Sequence, residues 1–426
     1  MKSYGHLWKQ ITDEENLRRA WHDVRRGHSD SREVIDYERA LDANLFALRD
    51  ELLSGGYQPS GYRQFRILDP KPRTISCAPV RDRIVHHALC NVITPLLEAS
   101  FIHNTFACRE GKGAHRAASL ARRYCGEFGY YLKLDVRHYF DSIKHGRLLA
   151  VLSKKFRERE VQRLIEAIVK CPLKGQSAGR GLPIGNLTSQ WFANVFLDAF
   201  DHLAQTGFGL GEVRYIRYMD DFVFFADSKE LLWKILGRVR DWLGEERGLE
   251  LKGEATRVAP VTEGLSFLGL RIFPGCWRFR RERFVRTRKT FRGRLRQFEA
   301  GAIDERRFAG CAASSDGSLR WYGFKNILVD LASGQGASSG SNRVQRGGNW
   351  NNNDNNCRSD NRNNNNPSNR NNNYGFRLTS TLPGHCQGPA RGAGASRRAK
   401  TNMRAFGRPV AIATASPGLW AVENMV

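Results

Sequence analysis

The chain switches between helical and strand periodicities, and the switches mark its parts. Residues 11–55 carry apolar positions at a 3.6-residue period, with Leu41, Leu45, Leu48 and Leu52 on one face, and predict helix. Gly55 and Gly56 end that pattern. Two short extended pieces, residues 63–68 and 73–77, flank a turn at 69–72, and a helix is predicted from near Asp82. YYLKLDVRHYFDSI (130–143) reads as a strand that ends at Asp135 and runs into a turn, and one or two helices follow through 145–170. GLPIGNLTSQ (181–190) opens as a Gly/Pro turn and continues as helix from about Thr188. VRYIRYMDDFVFFA (213–226) has two apolar half-strands around a polar centre, which predicts a hairpin. A helix over 229–248 and a strand over 264–272 complete the series. The alternation lacks βαβ regularity, so the expected class is α+β, with helices on one face of an antiparallel sheet.

After about residue 330 the texture changes. Residues 331–341 are rich in Gly, Ser and Ala and read as a linker, and 342–373 hold 16 Asn in 32 positions. The last stretch, 379–426, is rich in Gly, Ala, Arg and Pro and is expected to be disordered.

Composition narrows the function. With 41% hydrophobic and 26% charged residues among 426, the chain has material for a sizeable core and is not wholly disordered. It holds 68 Lys and Arg against 43 Asp and Glu, a net charge of +25, which calls for a polyanionic partner. Residues 277–297 concentrate nine Arg and one Lys against one Glu, with Phe279, Phe284 and Phe291 interleaved. On a helix, such a segment packs aromatics inward and leaves guanidiniums to track a phosphate backbone. None of the nine Cys forms a CxxC pair, which points to reduced thiols in a cytoplasmic protein. No run of 18 apolar residues predicts a membrane span, and no glycine-rich phosphate loop of the GxGxxG or GxxxxGK[ST] type occurs.

Three carboxylates carry the candidate chemistry. Asp135 ends one strand, and Asp220 and Asp221 occupy the centre of the hairpin, where burial is costly without compensating charge. If the 130–135 strand pairs beside the hairpin, Asp135 and Asp220 converge on one side and form a hard-oxygen site suited to Mg²⁺. Two such ions activate a 3′-hydroxyl and stabilise a phosphoryl-transfer transition state.

Here the motifs resemble those of a known family. Tyr218-Met219-Asp220-Asp221 between apolar runs is similar to the catalytic loop of reverse transcriptases. LDVRHYFDSI resembles the palm segment that supplies the other metal carboxylate, and FRILDPKPRTI the fingers strand pair. FLG (267–269) resembles the strand at the base of the thumb, so the likeness covers about residues 40–330. The resemblance implies a right-hand polymerase of fingers, palm with antiparallel sheet, and helical thumb. It implies catalytic Asp135, Asp220 and Asp221, and two Mg²⁺ ions, with Mn²⁺ as substitute, held by these and Val136. It assigns the incoming nucleotide to Lys71, Arg73, Phe140, Ile184 and Gly185, with Phe140 excluding a 2′-hydroxyl. Template–primer contacts fall to Ser189, Gln190, Tyr218, Met219, Arg286, Arg288 and Arg292. One departure concerns LELKGEATRV (249–258): family members carry a Lys before the Thr, where this chain has Ala255 before Thr256, and Lys252 is the nearest lysine.

GLPIGNLTSQ looks like the version found in reverse transcriptases of diversity-generating retroelements, with Ile184 where most relatives have Gln and with Ser189-Gln190 at its end. That likeness implies error-prone copying, chiefly opposite template adenines. The non-Asn residues of 342–378 resemble formylglycine-generating-enzyme-like domains of the C-type-lectin fold, which are frequent targets of such elements. The resemblance implies that 342–378 is a template repeat read in frame. The expected division is an N-terminal helical region (1–60), fingers and palm (61–275), a basic thumb (276–330) with a packing helix at 321–329, the linker, the Asn-rich segment and the tail. Expected partners are a structured template RNA, cDNA, dNTPs and a small basic accessory protein, with no membrane. The alternatives are a group II intron-like or other retroelement enzyme of ordinary fidelity, and a non-catalytic nucleic-acid-binding protein of polymerase fold.

Overall fold

The computed structural model describes residues 4–68, 72–305 and 307–313, and the backbone of Arg343–Arg346 and Arg362–Asn365. The helix expected at 321–329, the linker, most of the Asn-rich segment and the tail lie outside the described residues. Two compact units meet in sequence between Arg278 and Phe279.

The first unit begins with four helices, α1 (Trp8–Ile11), α2 (Glu14–Arg25), α3 (Arg32–Glu38) and α4 (Leu41–Ser54). The helix predicted over 11–55 is thus several, because polar caps interrupt it. The Asp13 carboxylate accepts from the Glu15 N–H at the start of α2, and the Ser31 hydroxyl does the same for Val34 in α3. Gly55, with φ +75°, closes α4 in the left-handed cap that glycine tolerates. A two-stranded antiparallel ribbon, β1 (Arg63–Ile67) and β2 (Arg73–Cys77), leads into α5 (Val80–Glu98) and α6 (Gly113–Glu127).

β3 (Tyr130–Asp135) is followed by α7 (Tyr139–Ser142), α8 (His145–Lys155), α9 (Arg159–Lys170), α10 (Leu187–Phe196) and α11 (Asp198–Gln205). Next come β4 (Arg214–Tyr218), β5 (Asp221–Ala226), α12 (Lys229–Trp242), a wide helical turn at Leu243–Arg247, and β6 (Arg257–Pro260). β3 to β6 form one antiparallel sheet in the order β4-β5-β3-β6, so the 130–135 strand does lie beside the hairpin.

The pleat sorts the side chains of this sheet. Leu132 and Leu134 of β3 share one face with Phe222 and Phe224 of β5, their register partners, and all four are fully buried. Tyr215 and Arg217 of β4 pair with Phe224 and Phe222 and join that face. Helices cover it: Phe200 of α11 sits 5.2 Å from Phe222, and Leu232, Ile235 and Val239 of α12 belong to the same core. The opposite face carries Tyr131, Lys133 and Asp135 of β3 against Phe225, Val223 and Asp221 of β5. Tyr124 of α6 packs edge-on against Phe225 at 5.5 Å, at the end of this face away from the carboxylates.

The single strand predicted over 264–272 is two, β7 (Leu265–Phe267) and β8 (Leu270–Phe273), with Phe267 paired to Leu270. Leu268 and Gly269, at φ +50° and +78°, make the two-residue turn that reverses the chain. β9 (Cys276–Phe279) completes a three-stranded sheet.

In the second unit, α13 (Arg281–Glu299) holds most of the basic run, and Phe291 and Phe298 pack against Phe308 at 5.9 and 4.9 Å. Farther on, β10 (Arg343–Arg346) pairs antiparallel with β11 (Arg362–Asn365). The described cysteines are all free thiols, and no described helix is long and apolar enough to cross a membrane.

Candidate active site

β4 and β5 are joined by a two-residue turn, Met219-Asp220, closed by the Tyr218–Asp221 pair. Met219 takes φ +57°, a left-handed conformation that a long side chain rarely adopts. Strain of this kind persists only where surrounding contacts impose it. Asp221 stands directly across from Asp135 in the β3–β5 register, which brings side chains within about 5 Å of each other. Lys133 is two residues earlier on the same face, its Nζ 3.0 Å from Asp221 Oδ1. That oxygen is buried and has no aligned hydrogen bond, so the ion pair is its partner.

The turn itself is tied to its neighbours. The Val136 N–H donates to the Asp220 carbonyl at 3.3 Å, and the Lys252 N–H to the Asp135 carbonyl at 2.8 Å. Burial, then the charges of Asp221 and Asp135, push the Asp220 carboxyl up to about 7, while Arg73 works in the opposite direction. Asp220, Asp135 and Asp221 therefore sense one another electrostatically, and Arg73 is near enough to contribute. Among the described residues, no group of three His, Cys, Asp or Glu is arranged to hold a metal ion, and Asp221 is engaged by Lys133. The chemistry of the donors nevertheless fits a hard divalent cation: three carboxylates, one of them costly to ionise without added positive charge.

A second group of predicted residues is brought together by backbone hydrogen bonds. Segment 181–186 is stitched at one end to α7 and its exit, with Leu182 N–H donating to Phe140 O and Gly181 N–H to Ile143 O, both at 2.9 Å. At its other end Ile184 O accepts from the Ser76 N–H and the Asn186 amide donates to Ser76 O, both at 2.8 Å. Ile184 and Gly185 are thereby fixed to β2, whose first residue is Arg73. Gly185 has φ +112°, and a Cβ there would lie 2.8 Å from Ile75 Cγ2, so the close approach to β2 requires glycine. Phe140 is half-buried against Tyr139, ring centres 5.7 Å apart.

Other predicted residues are placed differently. Lys71 lies outside the described residues. Ser189 and Gln190 are buried in the first turn of α10, and Gln190 Oε1 lacks a hydrogen-bond partner. Lys252 is adjacent to Asp135 along the backbone, with its Nζ 4.0 Å from Glu254. On α13, Arg288 and Arg292 are four residues apart and share a face, whereas Arg286 falls on the other side of the helix.

The sequence reading missed the polar cluster behind the turn. Arg217 is fully buried and bonds both oxygens of Asp201 (Nε 2.7 Å, Nη2 2.5 Å), while the Tyr215 hydroxyl donates to Asp201 at 2.8 Å. Burial opposes the charge on Arg217, but the charge and hydrogen bonds of Asp201 outweigh it and push the guanidinium pKa up. The visible signal was an Arg inside an apolar half-strand. Its partner, 16 residues away on a helix, carried no mark.

Residues 68–272 match the family described as reverse transcriptase (RNA-dependent DNA polymerase). Residues 232–382 match the sulfatase-modifying factor enzyme 1-like domain. Protein YkfC of Escherichia coli (strain K12) is 26% identical over 288 residues, 58% of this chain and 76% of that protein. Nuclear intron maturase 2, mitochondrial, of Arabidopsis thaliana is 26% identical over 152 residues, 32% of this chain and 21% of its own length. Group II intron-encoded protein LtrA of Lactococcus lactis subsp. cremoris is 22% identical over 157 residues, 35% of this chain and 26% of its own. The chain thus spans about three quarters of the first relative and about a quarter or less of the other two.

Proposed function

We propose that the chain, a distant reverse-transcriptase- and maturase-like protein, copies the RNA of a retroelement into DNA at Asp135, Asp220 and Asp221. The observation that carries the proposal is the direct register pairing of Asp135 with Asp221 beside an Asp220 whose carboxyl is pushed up to about 7. Three carboxylates this close, with Lys133 paired to Asp221 and Arg73 acting on Asp220, are suited to divalent cations. Asp135, Asp220 and Asp221, with Val136 beside them, would hold Mg²⁺, which when bound would supply charge stabilisation and a more acidic primer 3′-hydroxyl. Arg73, and Lys71 with it, binds the triphosphate, for which a guanidinium offers paired donors. Phe140, fixed through its carbonyl to the 181–186 segment, blocks a ribonucleotide 2′-hydroxyl. The basic α13 grips the template–primer backbone.

The maturases and the intron-encoded protein among the relatives favour an intron-like or related retroelement enzyme of ordinary fidelity. A second reading, mutagenic copying for a diversity-generating retroelement, is supported by one specific observation. The sulfatase-modifying factor-like match runs to residue 382 and takes in the Asn-rich segment 342–378. Ile184 and a small basic accessory protein belong to that reading. Primer extension tests the shared core: with Mg²⁺ the protein should extend a primer on RNA using dNTPs and not NTPs. Extension only on DNA templates, or equal use of NTPs, would count against it.

A further inference from the structure

Both carbonyls of the Met219-Asp220 turn are tethered. The Val136 N–H, just past the end of β3, holds the Asp220 carbonyl at 3.3 Å. On the helix-covered side Arg217 Nη1 donates to the Met219 carbonyl at 3.0 Å. The guanidinium that makes this contact has no freedom of its own. Asp201 of α11 grips it through two oxygens, and Asn194 of α10 accepts from Nη1 at 3.0 Å through its side-chain oxygen. Asn194 is fixed in turn by donating to the Ala107 carbonyl at 2.9 Å. The Arg217 backbone is pinned as well: its N–H donates to Asn104 O, and its carbonyl accepts from the Phe106 N–H, both at 3.0 Å.

We propose that Arg217 is a positioning residue: clamped by Asp201 and Asn194, it imposes the strained Met219 conformation and so aims Asp220 at Asp135 and Asp221. The inference rests on the function proposed for those carboxylates. Arg217 lies on the face away from them and touches no reacting atom. Its planar fork is what spans Asp201, Asn194 and Met219 together, and a single ammonium does not reproduce that span.

Arg217→Lys keeps the charge opposite Asp201 and removes the fork. Its partner control is Lys155→Met, which breaks another buried ion pair to α11, Lys155 Nζ to Asp198 at 2.8 Å, without touching the turn. Three readouts apply: melting temperature, Mn²⁺ affinity of the protein alone by electron paramagnetic resonance, and single-turnover primer extension. Arg217→Lys should weaken Mn²⁺ binding at least fivefold and lower the extension rate at least tenfold, with dNTP KM and template–primer Kd within twofold of wild type. Lys155→Met should lower the melting temperature and leave both affinity and rate within twofold. Wild-type Mn²⁺ affinity in Arg217→Lys, or equal losses in Lys155→Met, would overturn the proposal. If Arg217→Lys does not fold, Asn194→Ala decides: a smaller loss of Mn²⁺ affinity and rate supports the clamp, and none refutes it. Absence of extension by the wild type would strike the proposed function, whereas the Mn²⁺ measurements judge Arg217 separately.

Discussion

Replacing Asp220 by Asn should stabilise the metal-free protein at pH 8, although it removes a residue proposed to be essential. Burial and the two neighbouring carboxylates displace the Asp220 carboxyl from 3.8 to about 7 in the fold. Each pH unit of that displacement is worth about 1.4 kcal/mol, so the ionised side chain costs the native state at most about 4 kcal/mol. The sign follows from proton linkage. Between pH 3.8 and about 7 the native state holds a proton that the unfolded chain has released, so stability falls as pH rises. The favourable contribution is complete below 3.8 and gone above about 7. Asn mimics the protonated acid at every pH. In EDTA at pH 8, Asp220→Asn should therefore melt roughly 4–8 °C above wild type, for a gain of about 2–4 kcal/mol. The gap should close as the pH approaches 4. Mg²⁺ at 100 times its Kd should raise wild-type stability by about 2.7 kcal/mol and narrow the difference at pH 8. Scanning calorimetry reads all of these. A variant that melts at or below wild type at pH 8, or a gap unchanged between pH 4.5 and pH 8, would refute the electrostatic reasoning.

Three further outcomes are expected. Gly185→Ala forces a Cβ against Ile75 at φ +112°, so it should cost about 2 kcal/mol in denaturant melts and raise the KM for dNTP through displacement of β2; an unchanged KM would uncouple that contact from nucleotide binding. Replacing Arg286, Arg288 and Arg292 together by Ala should reduce the slope of log K against log salt for template–primer binding by about 2–3, and an unaltered slope would remove α13 from the interface. Ile184→Gln should lower misincorporation opposite template adenines in sequenced cDNA, if weaker polar contact at that position underlies it; the same error spectrum in both proteins would reject that cause.

The parts of the fold that declared themselves in the sequence were those with a short-range signature. Short apolar, aromatic-rich runs marked β3, β4 and β5, and the polar Asp220-Asp221 centre marked the β4–β5 turn. The pairing of β3 beside that hairpin was expected only conditionally, because register depends on partners distant in sequence. It emerged with Asp135 opposite Asp221 rather than Asp220, which sits in the turn. The strand over 264–272 hid a reversal because Leu268, a residue without turn preference, takes one of its two left-handed positions. β6 went unmarked, being four residues whose extended state is imposed by pairing with β3. In the site, identity was legible and support was not. Arg73, Phe140 and Ile184 were named from their motifs, but the Ser76 backbone that joins two of those segments left no trace in composition. Arg217 and Asp201 are ordinary residue types on different elements, and only the packed sheet shows them as one buried pair.

Asp135, Asp220 and Asp221 are proposed as the catalytic centre of an RNA-copying polymerase. The most direct test is single-turnover extension of a primed RNA template with Mg²⁺ and dNTPs, comparing wild type with Asp220→Ala in protein whose template–primer Kd is measured in parallel. Wild type should extend, and Asp220→Ala should lose at least a thousandfold in rate while binding template–primer within a few-fold of wild type. Equal extension by the two proteins would rule these carboxylates out as the catalytic centre.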